Sequence, residues 1–316
     1  MGALSTAAAE ELFRLQLQEW RGLAEGYAAL GEVRERRIDV GGSEFRIQYN
    51  PARIRSSAAT IDKETIAGRP CFLCDGNRPA MQRGIAWREY TLIVNPYPIF
   101  PVHFTIPTAI HTGQRIISRF RDMMSLALEL EGYTVFYNGP ECGASAPDHA
   151  HFQAGTSGIM PIEAEVENAE GEDVAHEGDG ARLRAVRGLC RVAMVIESAT
   201  IDAGVRLFET LYGALDAATG KEPMINVLCR WTPTKGWTII VFPRAKHRPS
   251  CYYAQGSDRM LISPAAVDLG GLIITPREED FARLTASDVR QILDEVCIAW
   301  HDADNIINRI KKLIIL

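Results

Sequence analysis

The sequence predicts an α+β fold, an antiparallel sheet of short, hairpin-linked strands packed against helices, in two related halves. Three observations carry this. Short alternating or apolar runs recur along the chain as strands do: RRIDV, SEFRIQYN, YTLIVN, HFTIP, YTVFYNG, MINVLCRW and GWTIIVFP. Segments of helical period fall between them, with few of the long crossovers that a parallel sheet requires. IPTAIH and FPRAKH echo each other, each placing a histidine four residues beyond a strand-ending proline, and this suggests an internal repeat.

Taken in order, residues 6–30 carry Leu, Trp and Tyr at helical spacing among Glu, Gln and Arg, an amphipathic packing helix. RRIDV and SEFRIQYN flank Gly41-Gly42, the signature of a hairpin. NPARIRSS then leaves the sheet with Arg53 and Arg55, and CFLCDGNRP follows a polar stretch. YTLIVN and HFTIP are strands about the proline-punctuated turn PYPIFPV, residues 114–131 have helical period, and YTVFYNG is the next strand. Residues 163–180 hold eight acids and no Lys or Arg, which predicts a solvated, mobile excursion. Beyond it the pattern gives a helix over 201–218, strands MINVLCRW, GWTIIVFP, RMLISPA and GGLIITP, and a helix in TASDVRQILDEVCIAW. The implied organisation is an N-terminal helix (1–35), a first half (36–162), an acidic linker or insertion (163–188) and a second half (189–316).

With 316 residues, a formal net charge of -6 and a pI near 5.7, the chain can bury a sizeable core and lacks the basic surface that nucleic-acid phosphates require. The seven cysteines are odd in number and irregularly spaced, and MGALSTAAAEELFRLQ has early charges and no long apolar run, so reduced thiols in a cytoplasm are expected. No window approaches eighteen apolar residues, so no membrane span is expected. MGALST fits the short myristoylation pattern at Gly2, a permissive match read as coincidence.

The chemistry concentrates in CGASAPDHAHFQAG, residues 142–155. On a strand His149, His151 and Gln153 share one face, and an imidazole whose tautomer is fixed by a neighbour is a nucleophile toward phosphorus. Gln153 can donate to a phosphate oxygen, while Gly143, Ala144 and Ser145 allow backbone N–H groups and a hydroxyl to approach one. These parts suit covalent nucleotidyl transfer. Cys71 and Cys74 form one C-x-x-C with no second pair; two histidines, His111 and His149, could complete a zinc tetrahedron, with a redox pair or plain buried thiols as the alternatives. Of the other histidines, His103 is expected to order its turn, His176 lies in the acidic run, and His301 lies in the C-terminal helix. His247, in PRAKHRP, is read as a solvated turn in preference to a phosphate contact. Neither a Walker loop nor a G-x-G-x-x-G fingerprint is present, so a Walker or Rossmann nucleotide site is not expected; no organic cofactor is expected either.

LIVNPYPIFPVHFTIP, followed by YNGPECGASAPDHAHFQAG, resembles the nucleotidyltransferase branch of the histidine triad superfamily, and HAHFQA with MPIE most resembles the GDP-hexose phosphorylase type. SPAAVDLGGLIITPREEDFARL resembles the C-terminal half of phosphorylase members. The resemblance implies two related halves of which only the first keeps H-x-H-x-Q. It also implies a ping-pong reaction through a nucleotidyl group on His151, with a nucleoside diphosphate sugar or dinucleoside polyphosphate as donor and phosphate or a sugar phosphate as acceptor. Gln153, Ser145 and Asn138 match phosphate contacts, Asn95 matches the turn that meets the nucleoside, and Arg53 and Arg55 are further phosphate or base candidates. Cys71, Cys74, His111 and His149 match a structural zinc site of uridylyltransferase members. The family's small-residue approach is departed from here, with Ser145 four residues before His149 and Asp148 inserted. A hydrolase with the same intermediate, a non-catalytic nucleotide-binding protein and a zinc-stabilised structural protein are the alternative readings.

Overall fold

The computed structural model describes residues 4–54, 68–169 and 171–315. Two helices open the chain, α1 (Thr6–Glu19) and α2 (Arg21–Leu30), where one was expected; the break falls at Trp20, whose extended backbone (φ -118, ψ 95) ends the first helix. Strands β1 (Arg34–Val40) and β2 (Ser43–Tyr49) form the expected hairpin, with Gly41 and Gly42 both at positive φ as a tight two-residue hairpin turn requires. Next come β3 (Gly84–Trp87), β4 (Tyr90–Val94), β5 (His103–Pro107), α3 (Phe120–Glu129), β6 (Tyr133–Asn138) and β7 (His151–Thr156). The helical pattern over 114–131 thus yields a shorter helix.

The acidic segment corrects its reading as a mobile linker. Residues 163–188 carry most of α4 (Ile162–Asn168), then β8 (Gly171–Gly178) and β9 (Ala181–Arg187). Its charges are neutralised across the sheet and from the core: Arg187 pairs with Asp173, Arg182 with Glu172, and Arg191 with Glu165 at 3.1 Å. Strand β10 (Met194–Ser198), helix α5 (Ile201–Ala214) and strands β11 (Ile225–Thr232) and β12 (Gly236–Pro243) follow. RMLISPA, expected as a strand, is irregular and feeds short helices: α6 (Ser250–Tyr253) precedes it and α7 (Ala266–Leu269) follows. GGLIITP does form a strand, β13 (Leu272–Thr275), but it pairs with β2, in parallel, and not with the large sheet. Helices α8 (Glu278–Arg283), α9 (Ala286–Val296) and α10 (Trp300–Ile315) end the described chain.

Ten strands form one antiparallel sheet in the order β3-β4-β5-β7-β6-β11-β12-β10-β9-β8, joined at β6 and β11. Counted from either edge, strands one to five of each half lie in the order 1-2-3-5-4, with a helix between the third and fourth: α3 in one half, α5 in the other. These helices meet through Phe120 and Phe208, stacked at 3.6 Å. One sheet face is buried under α1, α3, α5 and α10 in a core that includes Phe104, Phe152, Phe208 and Ile239. The other face is buried under β1-β2-β13, α4, α7 and α9, with Phe45, Phe100, Phe136 and Phe242 at the centre of a second core. No helix among the described residues is long and apolar enough to cross a membrane.

Candidate active site

A cavity of about 630 Å³ opens on the second sheet face. Its floor is one register row: Ile93 pairs with Thr105, Thr105 with Gln153, and Gln153 with Phe136, so all four side chains point the same way from β4, β5, β7 and β6. His151, at the start of β7, sits beside Gln153 on this floor.

His151 is 6% exposed, and its Nδ1 lies 2.8 Å from the carbonyl oxygen of His149. A carbonyl only accepts, so Nδ1 carries the proton and Nε2 keeps its lone pair. Burial drives the imidazole down to about 4, which keeps it neutral at pH 7. Buried Gln114 fixes the strand end, accepting from the His151 backbone N–H (2.8 Å) and donating to the carbonyls of His151 (3.1 Å) and Asn138 (2.9 Å).

Gln153 is oriented by a residue that the sequence reading assigned only to its turn. His103 is fully buried; its Nδ1 accepts from the Ile99 backbone N–H at 3.3 Å, so Nε2 carries the proton and donates to Gln153 Oε1 at 3.0 Å. The amide oxygen is thereby occupied, leaving the NH₂ as the group that Gln153 offers the cavity. Burial first, then the charge of Arg53, push His103 down to about 3, so the donor role holds at neutral pH. The H-F pair at 103–104, three residues before Pro107, was the available signal.

The expectation that His149 shares the face of His151 and Gln153 is not met. Strand β7 begins at His151, and His149 precedes it, turned away from the cavity into a group with Cys71, Cys74 and His111. The chain bends because Ala150 donates to the Thr112 carbonyl at 2.6 Å while its own carbonyl accepts from Thr108 at 2.9 Å. The four ligand atoms lie within 4.8 Å of one another; Cys71 Sγ is 3.3 Å and Cys74 Sγ 3.6 Å from His149 Nδ1, and Cys74 Sγ is 3.2 Å from His111 Nδ1. Tetrahedral coordination at usual zinc bond lengths puts sulfur and nitrogen ligands roughly 3.5 Å apart. The outer contacts fit as well. His149 Nε2 is 2.8 Å from the Thr108 carbonyl and His111 Nε2 is 3.3 Å from Asp148 Oδ2, which leaves each Nδ1 for a metal. Asp148 is thus a partner of His111.

The other predicted residues fall as follows. Asn95 lines the cavity, donates to Thr105 Oγ1 at 3.0 Å, and accepts from the Tyr97 N–H at 2.9 Å. Asn138 also lines it; its Oδ1 accepts from the Ala266 N–H and from Asn226 Nδ2, both at 2.8 Å, leaving Nδ2 for the cavity. Gly143, Ala144 and Ser145 form one wall. Gly143 has φ +91, and a Cβ there would stand 2.7 Å from Ala265 Cβ, so the wall packs directly on the segment leading into α7. Arg53 lines the cavity and donates to the Tyr97 carbonyl at 2.8 Å. Arg55 lies outside the described residues. His247, read as a solvated turn, instead lines the cavity with Arg248. Its turn is held by Arg244, 5% exposed, which donates to the carbonyls of Val296, Pro264, Lys246 and His247 and to Asn226 Oδ1.

Residues 12–156 match a model described as a domain of unknown function, DUF4922, and residues 165–314 match the GDPGP1-like C-terminal domain. Yeast Ap4A phosphorylase Apa2 in complex with AMP superposes with a TM-score of 0.58 at 16% identity, covering 90% of this chain and 96% of that one. The chain has the fold of this yeast phosphorylase. The same yeast enzyme in complex with Ap4A gives a TM-score of 0.58 at 16% identity, over 89% of this chain and 97% of that one. A uridylyltransferase structure aligns at a TM-score of 0.42 and 14% identity, over 82% and 98%. No curated protein sequence matches the chain.

Proposed function

We propose that the protein is a nucleotidyltransferase of the phosphorylase type, acting through a nucleotidyl group on His151. The observation that carries this reading is the pair of fixed tautomers on one floor: His151 with Nδ1 spent on a carbonyl, and Gln153 with its oxygen spent on His103. In the first step His151 Nε2 bonds to the α-phosphorus of a nucleotide donor as the bond from that phosphorus to the bridging oxygen breaks, and the electron pair leaves with the departing phosphate group. As the P–N bond forms, the imidazole becomes cationic, and the His149 carbonyl stabilises the charge at Nδ1–H. Gln153 donates to a non-bridging oxygen. In the second step an oxygen of inorganic phosphate or a sugar phosphate attacks the same phosphorus and the P–N bond breaks, regenerating neutral His151. The donor is a nucleoside diphosphate sugar, with a GDP-hexose favoured, or a dinucleoside polyphosphate; the AMP and Ap4A complexes of the yeast neighbour support a small nucleotide in this cavity.

Cys71, Cys74, His111 and His149 hold a structural zinc ion on this reading. A metal held by these four residues would fix His149, whose carbonyl sets the His151 tautomer.

The test is intact-protein mass spectrometry at neutral pH without phosphate, with GDP-sugars, UDP-sugars, ADP-sugars and diadenosine tetraphosphate offered separately. A nucleoside-monophosphate adduct on wild type and none on His151→Ala is the expected result. Nucleotide stabilisation with no adduct from any donor would overturn it in favour of a binding protein. Turnover without dependence on phosphate would make the protein a hydrolase.

A further inference from the structure

The two halves differ in the link from their central helix to the next strand. In the first, α3 passes to β6 through three residues, 130–132; in the second, α5 reaches β11 through ten, 215–224. The longer link crosses the join of the sheet and touches the first half. Lys221 pairs there with Glu141 at 2.7 Å, an exposed contact that contributes little. Glu222, half-buried, is gripped more closely: Oε1 accepts from the Ile116 backbone N–H at 2.6 Å, and Oε2 accepts from the Tyr137 hydroxyl.

Both donors belong to segments that set the reactive strand end. Tyr137 lies on β6 between Phe136 and Asn138, which line the cavity, so its buried side chain points into the opposite, helix-side core. Ile116 lies two residues beyond Gln114, whose side chain bonds the His151 backbone N–H and the carbonyls of His151 and Asn138. The contacts close a ring: from Glu222 to Ile116, along the chain to Gln114, across to Asn138, back one residue to Tyr137, and through its hydroxyl to Glu222. Residues 112–116 lie outside any helix or strand, so Gln114 takes its place from such contacts. Glu222 can close the ring in either protonation state. Burial pushes its carboxyl up to about 7, opposed by the hydrogen bonds and by the charges of Arg115 and Arg119. As a carboxylate it accepts from the phenol; as an acid it donates to the phenol and still accepts from Ile116. A glutamine has the same pair of groups.

We infer that Glu222 is a positioning residue for nucleotidyl transfer, a side chain of the second half that fixes the His151 backbone through Gln114 from behind the cavity floor. This rests on the nucleotidyl-transfer reading above and adds to it a residue outside the cavity on which the placement of His151 depends.

The experiment follows single-turnover adduct formation on His151 by mass spectrometry over a range of GDP-hexose concentrations. Glu222→Leu should lower the maximal rate roughly 10- to 100-fold, the cost of a small misplacement of a reacting group, with the half-saturating donor concentration changed by less than about 3-fold. Glu222→Gln should keep the maximal rate within about 3-fold of wild type, because both hydrogen bonds survive. Hydrogen exchange supplies a readout that needs no donor: in Glu222→Leu the amides of residues 147–156 should exchange about 10-fold faster while those of β9 and β10 do not change. An unchanged maximal rate in Glu222→Leu, an equal loss in Glu222→Gln, or exchange that rises evenly along the chain overturns the assignment. If Glu222→Leu does not fold, Tyr137→Phe replaces it, with a loss of roughly 5-fold in maximal rate expected for one hydrogen bond, and no loss overturns the assignment. Absence of an adduct from every donor in wild type is a different failure, that of nucleotidyl transfer itself; the exchange series then still decides whether Glu222 holds His151.

Discussion

Replacing His103 with Phe tests whether the reactive floor depends on a residue that touches no substrate. His103 is fully buried between the rings of Phe100 (5.5 Å) and Phe136 (5.8 Å), so Phe fills the space and removes the Nε2–H···Gln153 bond. Gln153 is then free to turn its oxygen toward the phosphate. The ceiling on the damage is the whole contribution of Gln153, a hydrogen bond to a charged group of about 1.5–3 kcal/mol, or roughly 10- to 150-fold in rate. Gln153→Ala should therefore slow adduct formation within that range and His103→Phe by roughly 3- to 30-fold. The double variant should be no slower than Gln153→Ala, because His103 has nothing left to orient. The assay is quenched single-turnover mass spectrometry of the His151 adduct, with urea melts alongside: the orphaned Ile99 N–H costs about 1–3 kcal/mol of stability, which must not be mistaken for catalysis. Multiplicative losses in the double variant would refute the positioning role.

Other outcomes follow from the same contacts. The purified protein should carry one zinc per chain by native mass spectrometry, and Cys74→Ser or His111→Ala should lose it and lower the melting temperature; metal-free protein that melts like wild type would remove the metal from the account. Arg244→Met should destabilise by about 3 kcal/mol or more in urea, because it strips the donor from the carbonyls of Val296, Pro264, Lys246 and His247 at once. Stability should also fall in acid: His103 titrates near 3 when folded and near 6.5 when unfolded, so the unfolded chain binds the proton first as pH drops below about 6.5. That one residue contributes about 1.4 kcal/mol of loss per pH unit well below 6.5, and His103→Phe should show a shallower acid slope in urea titrations at pH 6.5, 5.5 and 4.5.

Period-two alternation made the strands legible, since each buries one or both faces against a core: β1, β2, β4, β5, β6, β11 and β12 all fall where the pattern placed them. What failed was partnership. GGLIITP reads as a strand equally well beside β2 or in the large sheet, and an acidic run reads as solvated until Arg182, Arg187 and Arg191 are brought against it. In the site, Cys71, Cys74, His111, His149 and His151 were visible because their side chains carry chemistry of their own, whereas His103 and His247 were read only as turn residues. Arg244 was not visible, because an arginine after a strand looks like a surface charge until the fold converges on it.

The echo of IPTAIH and FPRAKH does not mark equivalent places in the sheet. His111 follows the third strand of its half and His247 follows the fifth strand of its own, so the two do not occupy matching places. The likeness of the halves lies in the strand order and in the paired helices α3 and α5. That order also explains why there is one site. Matching ends of the two halves face opposite ways along the joined sheet; where β7 opens with His151 opposite Pro107, β12 has Trp237 opposite Ser198, its Nε1 donating to the Met124 carbonyl at 2.8 Å within the helix-side core. That end of the second half is closed by packing. Its opposite end, next to β6, is what it lends to the cavity: Asn226 bridges Asn138 and the Cys142 carbonyl, Arg244 bridges Asn226 and Pro264, and α7 bonds back to Asn138. His151 and Gln153 belong to the first half. The second half supplies the opposing wall through His247, Arg248 and α7, so that wall can change without moving His151 or Gln153.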